Sequence, residues 1–225
     1  VKVWLDECGK PFKLERLEND PSHQLIEEFM LAANEVVARE TKNQNFPSIY
    51  RIHENPDPDK LAEFRDLVRL YDYRAGDLTQ REEVRRLLEA IKGTPEEYAL
   101  KISFLRSLKR AAYAVQALGH YGLAKVNYTH FTSPIRRYAD LVVHRVLEHI
   151  GERRQRLAAA ELPAVAAQIS QTERVSEDAE RESVKLKKIE FFAMAAERRD
   201  TFAAVILDVR NYGLVVELPE FLISG

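Results

Sequence analysis

Hydrophobic positions recur at helical spacing along most of the chain. After the capping group Asp20-Pro21-Ser22, Leu25, Phe29, Ala32/Ala33 and Val36 mark the inward stripe of a helix reaching about Arg39. Asp57-Pro58-Asp59 opens a second helix, with Leu61, Phe64, Leu67/Val68 and Tyr71 inward. Thr79-Gln80-Arg81-Glu82 has the form of a capping box, in which Thr79 caps backbone donors and Glu82 reaches back. Its helix carries Val84, Leu87/Leu88 and Ile91 and stops at Gly93. Thr94-Pro95-Glu96-Glu97 repeats the box, and the spacing predicts a helix from there to Leu118, with Gly119 as its stop. Ser133-Pro134 predicts another start, with Ala139, Val142/Val143, Val146 and Ile150 buried and Gly151 at the end. One very long helix is expected over 163–199, roughly 50 Å at about 1.5 Å per residue.

Alternation with period two is confined to the two ends. Val1, Val3 and Leu5 alternate with Lys2, Trp4 and Asp6, which reads as a strand whose sheet is expected upstream of this chain. FAAVILDV at 202–209 and YGLVVEL at 212–218 read as a hairpin joined through Arg210-Asn211. Two strands do not make a stable domain, so 200–225 is expected to be the opening of a truncated barrel, with two strands at most, poorly packed on the helical body. The expected fold class is α+β, predominantly helical, with one boundary near Arg199/Asp200. Both ends look cut rather than natural, as in a piece of a larger protein.

The 225 residues include only 8 Gly and 9 Pro, which agrees with long helices. A single cysteine, Cys8, excludes an intrachain disulfide and a Cys-based structural zinc site, and no disulfide-linked partner is expected. No apolar run approaches the roughly 18 residues of a membrane span, and no signal peptide opens the chain. The expected setting is cytoplasmic.

The formal net charge of −2 hides a pattern. Residues 101–150 carry 8 basic side chains against Asp140 and Glu148, and hold His120, His130, His144 and His149. Such a segment is a candidate for contact with an anion such as phosphate, or else a solvated basic face. Within it, HFTSPIRRYADLVVHR at 130–145 concentrates the chemistry. A helix start leaves backbone N–H groups unpaired beside the positive end of the dipole, so Arg136 and Arg137 there are electrostatically disfavoured. A bound phosphate relieves the conflict. Arg136, Asp140 and His144 share a face, so Asp140 is placed to orient Arg136; the bland alternative is a plain helix ion pair worth a few tenths of a kcal/mol. His130 and His144 fit packing or hydrogen bonding better than metal ligation, since no partner sits at a metal-site spacing. Tyr128, Phe131 and Tyr138 are base-stacking candidates or core residues.

YTHFTSPIRRYADLVVHR resembles the signature near the end of the catalytic domain of the ribonuclease II/ribonuclease R family. HQLIEEFMLAANEVVA at 23–38, FPSIYRIHENPDPDKL at 46–61 and SEDAERESVKLKK at 176–188 resemble further segments of it in order, and the likeness is nearer to the ribonuclease R type. Residues 200–225 resemble the first strands of the OB-fold RNA-binding domain that follows, leaving 1–199 as the carboxyl-terminal part of the catalytic domain. The resemblance implies a processive 3′-to-5′ hydrolytic exoribonuclease that releases 5′-mononucleotides from single-stranded RNA with magnesium. In that family a short Asp-rich motif holds the metal, and no such cluster occurs here, so no metal ligands are assigned and the chain alone is expected to be inactive. Arg136 matches the family's phosphate-stabilising arginine. Glu27 and Glu180 match glutamates lining the RNA channel, and Arg137, Tyr138 and Ser133 fall in the RNA-binding signature, supported by Asp140 and His144. Without the resemblance both glutamates read as ordinary solvated carboxylates. A non-catalytic RNA-binding or regulatory relative is the alternative, and a helical interaction scaffold using 163–199 is a third reading.

Overall fold

The computed structural model describes residues 1–16, 20–152, 159–211, 213–221 and 223–225; the side chains of His149, Gly151, Glu152 and Asp208 are outside the description. The expectation of a strand from Tyr212 therefore applies only from residue 213. Two compact units emerge. One combines Val1–Glu27 with Gln171–Gly225, and the other is Glu28–Ser170.

In the first unit, β1 (Lys2–Leu5) pairs antiparallel with β2 (Pro11–Glu15). The partner strand expected upstream instead begins six residues after β1 ends, at Pro11. Asp6 makes the turn, its Oδ1 accepting from the N–H groups of Cys8 at 2.9 Å and Lys10 at 2.8 Å, with Gly9 at φ 76°. Pro11 opens β2, where a missing N–H is tolerated. Near the other end of the chain, β5 (Val205–Arg210) and β6 (Gly213–Leu218) form the expected hairpin, and β7 (Ile223–Ser224) adds a third strand to β6, one more than expected. Val205, Ile206, Leu207, Val209 and Leu214 remain exposed. Yet the strands are not loosely attached. Phe192, Phe202 and Phe221 pack edge to face with centroids 5.2–5.6 Å apart, and Lys188 donates to the Phe221 carbonyl at 2.7 Å. Burial holds the Lys188 ammonium below its usual range, an effect opposed by Glu217.

The helices α1 (Pro21–Asn43) and α6 (Leu162–Glu197) match the sequence pattern in extent, α6 running for 36 residues. Asp20 Oδ1 accepts from the His23 N–H at 2.9 Å, as a cap should. The inward face of α1 differs from expectation. Leu25, Phe29 and Val36 are exposed, whereas Asn34, Ala38 and Thr41 are buried.

In the second unit, α2 (Pro58–Leu70), α3 (Arg81–Ala90) and α4 (Glu97–Ser107) enclose an apolar core of Leu61, Phe64, Val68, Leu78, Val84, Leu87, Ile91, Leu100 and Phe104. Neither capping box forms. Thr79 donates its hydroxyl to Asp77 at 2.7 Å, so Gln80 becomes the unassisted cap of α3. Glu97 accepts from the Gly93 N–H at 2.6 Å instead of serving Thr94. The helix expected to reach Leu118 stops at Ser107, whose hydroxyl turns back onto the Phe104 carbonyl at 2.7 Å. The alanine-rich stretch beyond it becomes β4 (Ala112–Ala114), paired antiparallel with β3 (Tyr50–Ile52). Tertiary pairing there overrides a helical propensity. α5 (Tyr138–Glu152) carries Ala139, Val142, Val143 and Val146 inward, as expected. Ala139 and Val142 pack with Ile49, Tyr113, Leu162 and Ala166.

Candidate functional site

The segment preceding α5 has no regular structure of its own, and the second unit holds it by side-chain bonds. Arg51 in β3 donates its N–H to the Tyr128 carbonyl at 3.0 Å, and Thr129 Oγ1 donates to the Ile49 carbonyl at 2.6 Å. Asn34 spans two points of the segment, donating to the Tyr128 hydroxyl at 3.0 Å and accepting from the Phe131 N–H at 2.9 Å. His144 Nε2 lies 2.9 Å from the Phe131 carbonyl, and its ring stacks on Phe131 at 4.4 Å between centroids. Asp140 closes the last side. Its Oδ1 accepts from the Ser133 N–H at 2.7 Å.

Pro134–Arg136 form a turn, with the N–H groups of Arg136 and Arg137 both directed to the Ser133 carbonyl at 3.3 and 3.1 Å. The helix begins at Tyr138, four residues later than the Ser133-Pro134 signal predicts, and Ser133 contributes backbone groups rather than a hydroxyl cap. The orienting pair also differs. Asp140 binds Arg137, not Arg136: Nη2 donates to Oδ1 at 2.9 Å and Nε lies 2.9 Å from Oδ2. Asp140 is fully buried and Arg137 is 22% exposed, so the charge of Arg137 is compensated by a fixed partner. Arg136 is exposed, and no described residue forms an ion pair or side-chain hydrogen bond with its guanidinium. Two adjacent arginines are therefore unlike. Arg137 is tied into the loop by Asp140, and Arg136 presents its guanidinium to solvent from the turn that Ser133 closes.

A ring cluster backs this loop. Tyr113 Oη lies 2.7 Å from His130 Nδ1, His130 packs edge-on to Tyr128 at 5.8 Å, Tyr128 to His120 at 5.4 Å, and His120 to His53 at 5.1 Å. Burial first, then the charges of Arg137, Arg51, His120 and Arg136, push His130 down to about 3. Burial, helped by His53 and Arg51, pushes His120 down to about 4. Both imidazoles are neutral at pH 7, so the positive charge here belongs to the arginines.

Among the residues singled out by sequence, Ser133, Arg136, Arg137, Tyr138, Asp140 and His144 come together in the second unit. Tyr138 is exposed at the first position of α5, and His144 is a stacking and hydrogen-bonding residue. Glu27 and Glu180 belong to the first unit, each exposed on its helix. Glu180 lines an open groove of about 540 Å³ with Arg181, Val184, Lys188 and Ile223. Asn34, Arg51 and Tyr113 were not picked out by sequence as functional residues. The available signal was Asn34, a polar residue one helical turn from Ala38 on a face that is otherwise small. Among the described residues no three His, Cys, Asp or Glu side chains gather as metal ligands, so the described residues do not fit a divalent ion.

Residues 1–152 match the RNB domain, and the chain belongs to that family. The similarity sharpens on one kind of member. The chain is 38% identical over 234 residues to ribonuclease R of Thermotoga maritima, covering 100% of this chain and 33% of that protein. It is 37% identical over 226 residues to ribonuclease R 1 of Lactococcus lactis, covering 97% of this chain and 27% of that one. Mycoplasma genitalium RNase R, solved in complex with ribose-methylated single-stranded RNA, superposes with a TM-score of 0.86 at 27% identity, over 100% of this chain and 36% of that chain. The chain thus spans about a third of the length of the curated relatives it matches. Among the described residues no helix is long and apolar enough to cross a membrane.

Proposed function

We propose that this chain is the carboxyl-terminal part of the catalytic region of a processive, hydrolytic 3′-to-5′ exoribonuclease of the cytoplasm. It acts on single-stranded RNA, requires magnesium and releases 5′-mononucleotides. Residues 200–225 begin an OB-fold RNA-binding domain. The observation that carries the reading is the Arg136 guanidinium, without an ion-pair partner among the described residues, beside Arg137, which is ion-paired to buried Asp140. A guanidinium fork offers parallel N–H donors to two phosphate oxygens. Negative charge grows on those oxygens as the scissile bond breaks, so the contact strengthens toward the transition state. Arg137 and Asp140 fix the backbone that aims Arg136, and Ser133 and Tyr138 flank the same phosphate track. Glu27 and Glu180 accept from ribose hydroxyls, which favours RNA over DNA.

Arg136→Ala in the full-length protein tests the reading. Turnover falls about 10²–10³-fold, while single-stranded RNA affinity changes little, one phosphate contact being a small share of many. Loss of affinity at an unchanged turnover rejects the role. The 225-residue chain alone releases no mononucleotides with magnesium, and release from clean protein contradicts the division of labour.

A further inference from the structure

His130 is a half-buried, neutral imidazole that the reading above leaves without a task, and its surroundings assign its protons. Tyr113 Oη and His130 Nδ1 are 2.7 Å apart. A phenol is the stronger donor and an imidazole nitrogen the stronger acceptor. The Arg51 guanidinium lies 4.7 Å over the Tyr113 ring, and a cation on that face withdraws electron density from the phenol and sharpens it as a donor. Tyr113 therefore donates to Nδ1, which leaves the ring proton on Nε2. No described residue accepts from Nε2. The positive charges of Arg137, Arg51 and, more weakly, Arg136 all act on this ring, and Tyr128 packs edge-on against it at 5.8 Å. An N–H dipole among guanidinium groups is repelled by them unless an anion lies between, and with one it becomes a further convergent donor. Burial keeps the imidazole from adding a fourth positive charge that would oppose the loop itself.

We propose that His130, held by Tyr113 in the Nε2–H tautomer, is a substrate-contacting residue that donates a hydrogen bond to the same RNA phosphate that Arg136 binds. This rests on the role of Arg136 given above and adds a second, uncharged donor to it. The neutral donor stabilises developing charge while adding little to the salt-dependent attraction for RNA in general. Tyr113 is a positioning residue, since it acts only through the tautomer.

The test uses the full-length protein, a single-stranded oligoribonucleotide and three variants. His130→Phe keeps a flat ring and removes the donor, and turnover should fall about 10²-fold at nearly constant KM, the lower end for one lost oxyanion donor. His130→Gln places an amide N–H near the Nε2 position and should recover at least about tenfold of that loss. Arg136→Ala runs alongside. If Arg136→Ala leaves turnover unchanged, the underlying reading falls. If Arg136→Ala is impaired and folded His130→Phe turns over like the parent, only the present inference falls. Equal losses in the Phe and Gln variants, both natively folded by circular dichroism, reduce His130 to packing and also overturn it. A readout independent of turnover is the ¹⁵N shift of the His130 nitrogens at pH 7. A protonated Nε2 and bare Nδ1 are expected, with Nε2 moving when a phosphorothioate oligoribonucleotide is added. The opposite tautomer, or an unmoved Nε2, contradicts the assignment.

Discussion

Two regions of the second unit are built on different principles. The α2–α4 region is an apolar core of nine buried side chains, closed by dispersion and burial. The 127–137 loop is instead stitched by polar bonds from Asn34, Thr129, Asp140 and His144, each reaching a backbone group. The apolar region is tolerant of substitution by volume and carries no charge chemistry. The stitched region has little apolar area to spare, and each bond fixes a particular atom. That is the construction needed where an arginine must be held without being neutralised. Stability and activity are therefore expected to separate in one region and to travel together in the other.

The largest test is Phe64→Ala. In the full-length protein it should cost about 3–5 kcal/mol of stability through transfer and cavity terms, while RNA hydrolysis by whatever protein remains folded proceeds at the parent rate. Chemical denaturation and active-site-normalised kinetics read the two halves; a folded variant with slowed chemistry breaks the distinction. Next is Asp140→Ala, which strands Arg137 and the Ser133 N–H at a fully buried position. It should cost about 3 kcal/mol and slow turnover as well, because Arg136 loses its fixed backbone. A stability loss with intact turnover would show that Arg137 and Asp140 do not position the neighbouring arginine.

The smallest effect is a pH dependence. His130 and His120 are held neutral at about 3 and 4 by burial, whereas in the unfolded chain each takes up a proton near about 6.5. Between those values the unfolded state binds more protons, so stability is fully present above about 6.5 and is lost as pH falls through the window. The urea midpoint should drop between pH 7 and pH 5. An unchanged midpoint would mean that the ring cluster opens to water.

The same contrast explains what could be read from sequence. Leu61, Phe64, Val84 and Ile91 announce their helices by spacing, because burial of apolar faces is the dominant local signal. The capping boxes at Thr79 and Thr94 do not form because Asp77 accepts from the Thr79 N–H that Glu82 would bind, and Glu97 accepts from the Gly93 N–H. β4 and β2 are not legible in sequence because each depends on a partner strand, that of β4 lying 60 residues away, and strands of three and five residues leave little periodic trace. The site segment was found from its residue types and its resemblance to a family. The pairing within it was not, because Arg136 and Arg137 both sit near Asp140 in sequence, and only the start of α5 at Tyr138 decides which reaches it.

The central claim is that these adjacent arginines have opposite duties, and Lys substitution at each separates them most directly. A lysine keeps the charge and loses the planar fork. In the full-length protein, Arg136→Lys should cut turnover at least about tenfold with an unchanged melting temperature, since a point charge holds a phosphate less well than a bidentate fork. Arg137→Lys should lower the melting temperature by breaking the two-point contact with Asp140. If Arg137→Lys instead slows turnover at constant stability while Arg136→Lys destabilises the fold, the assignment of the two residues is wrong.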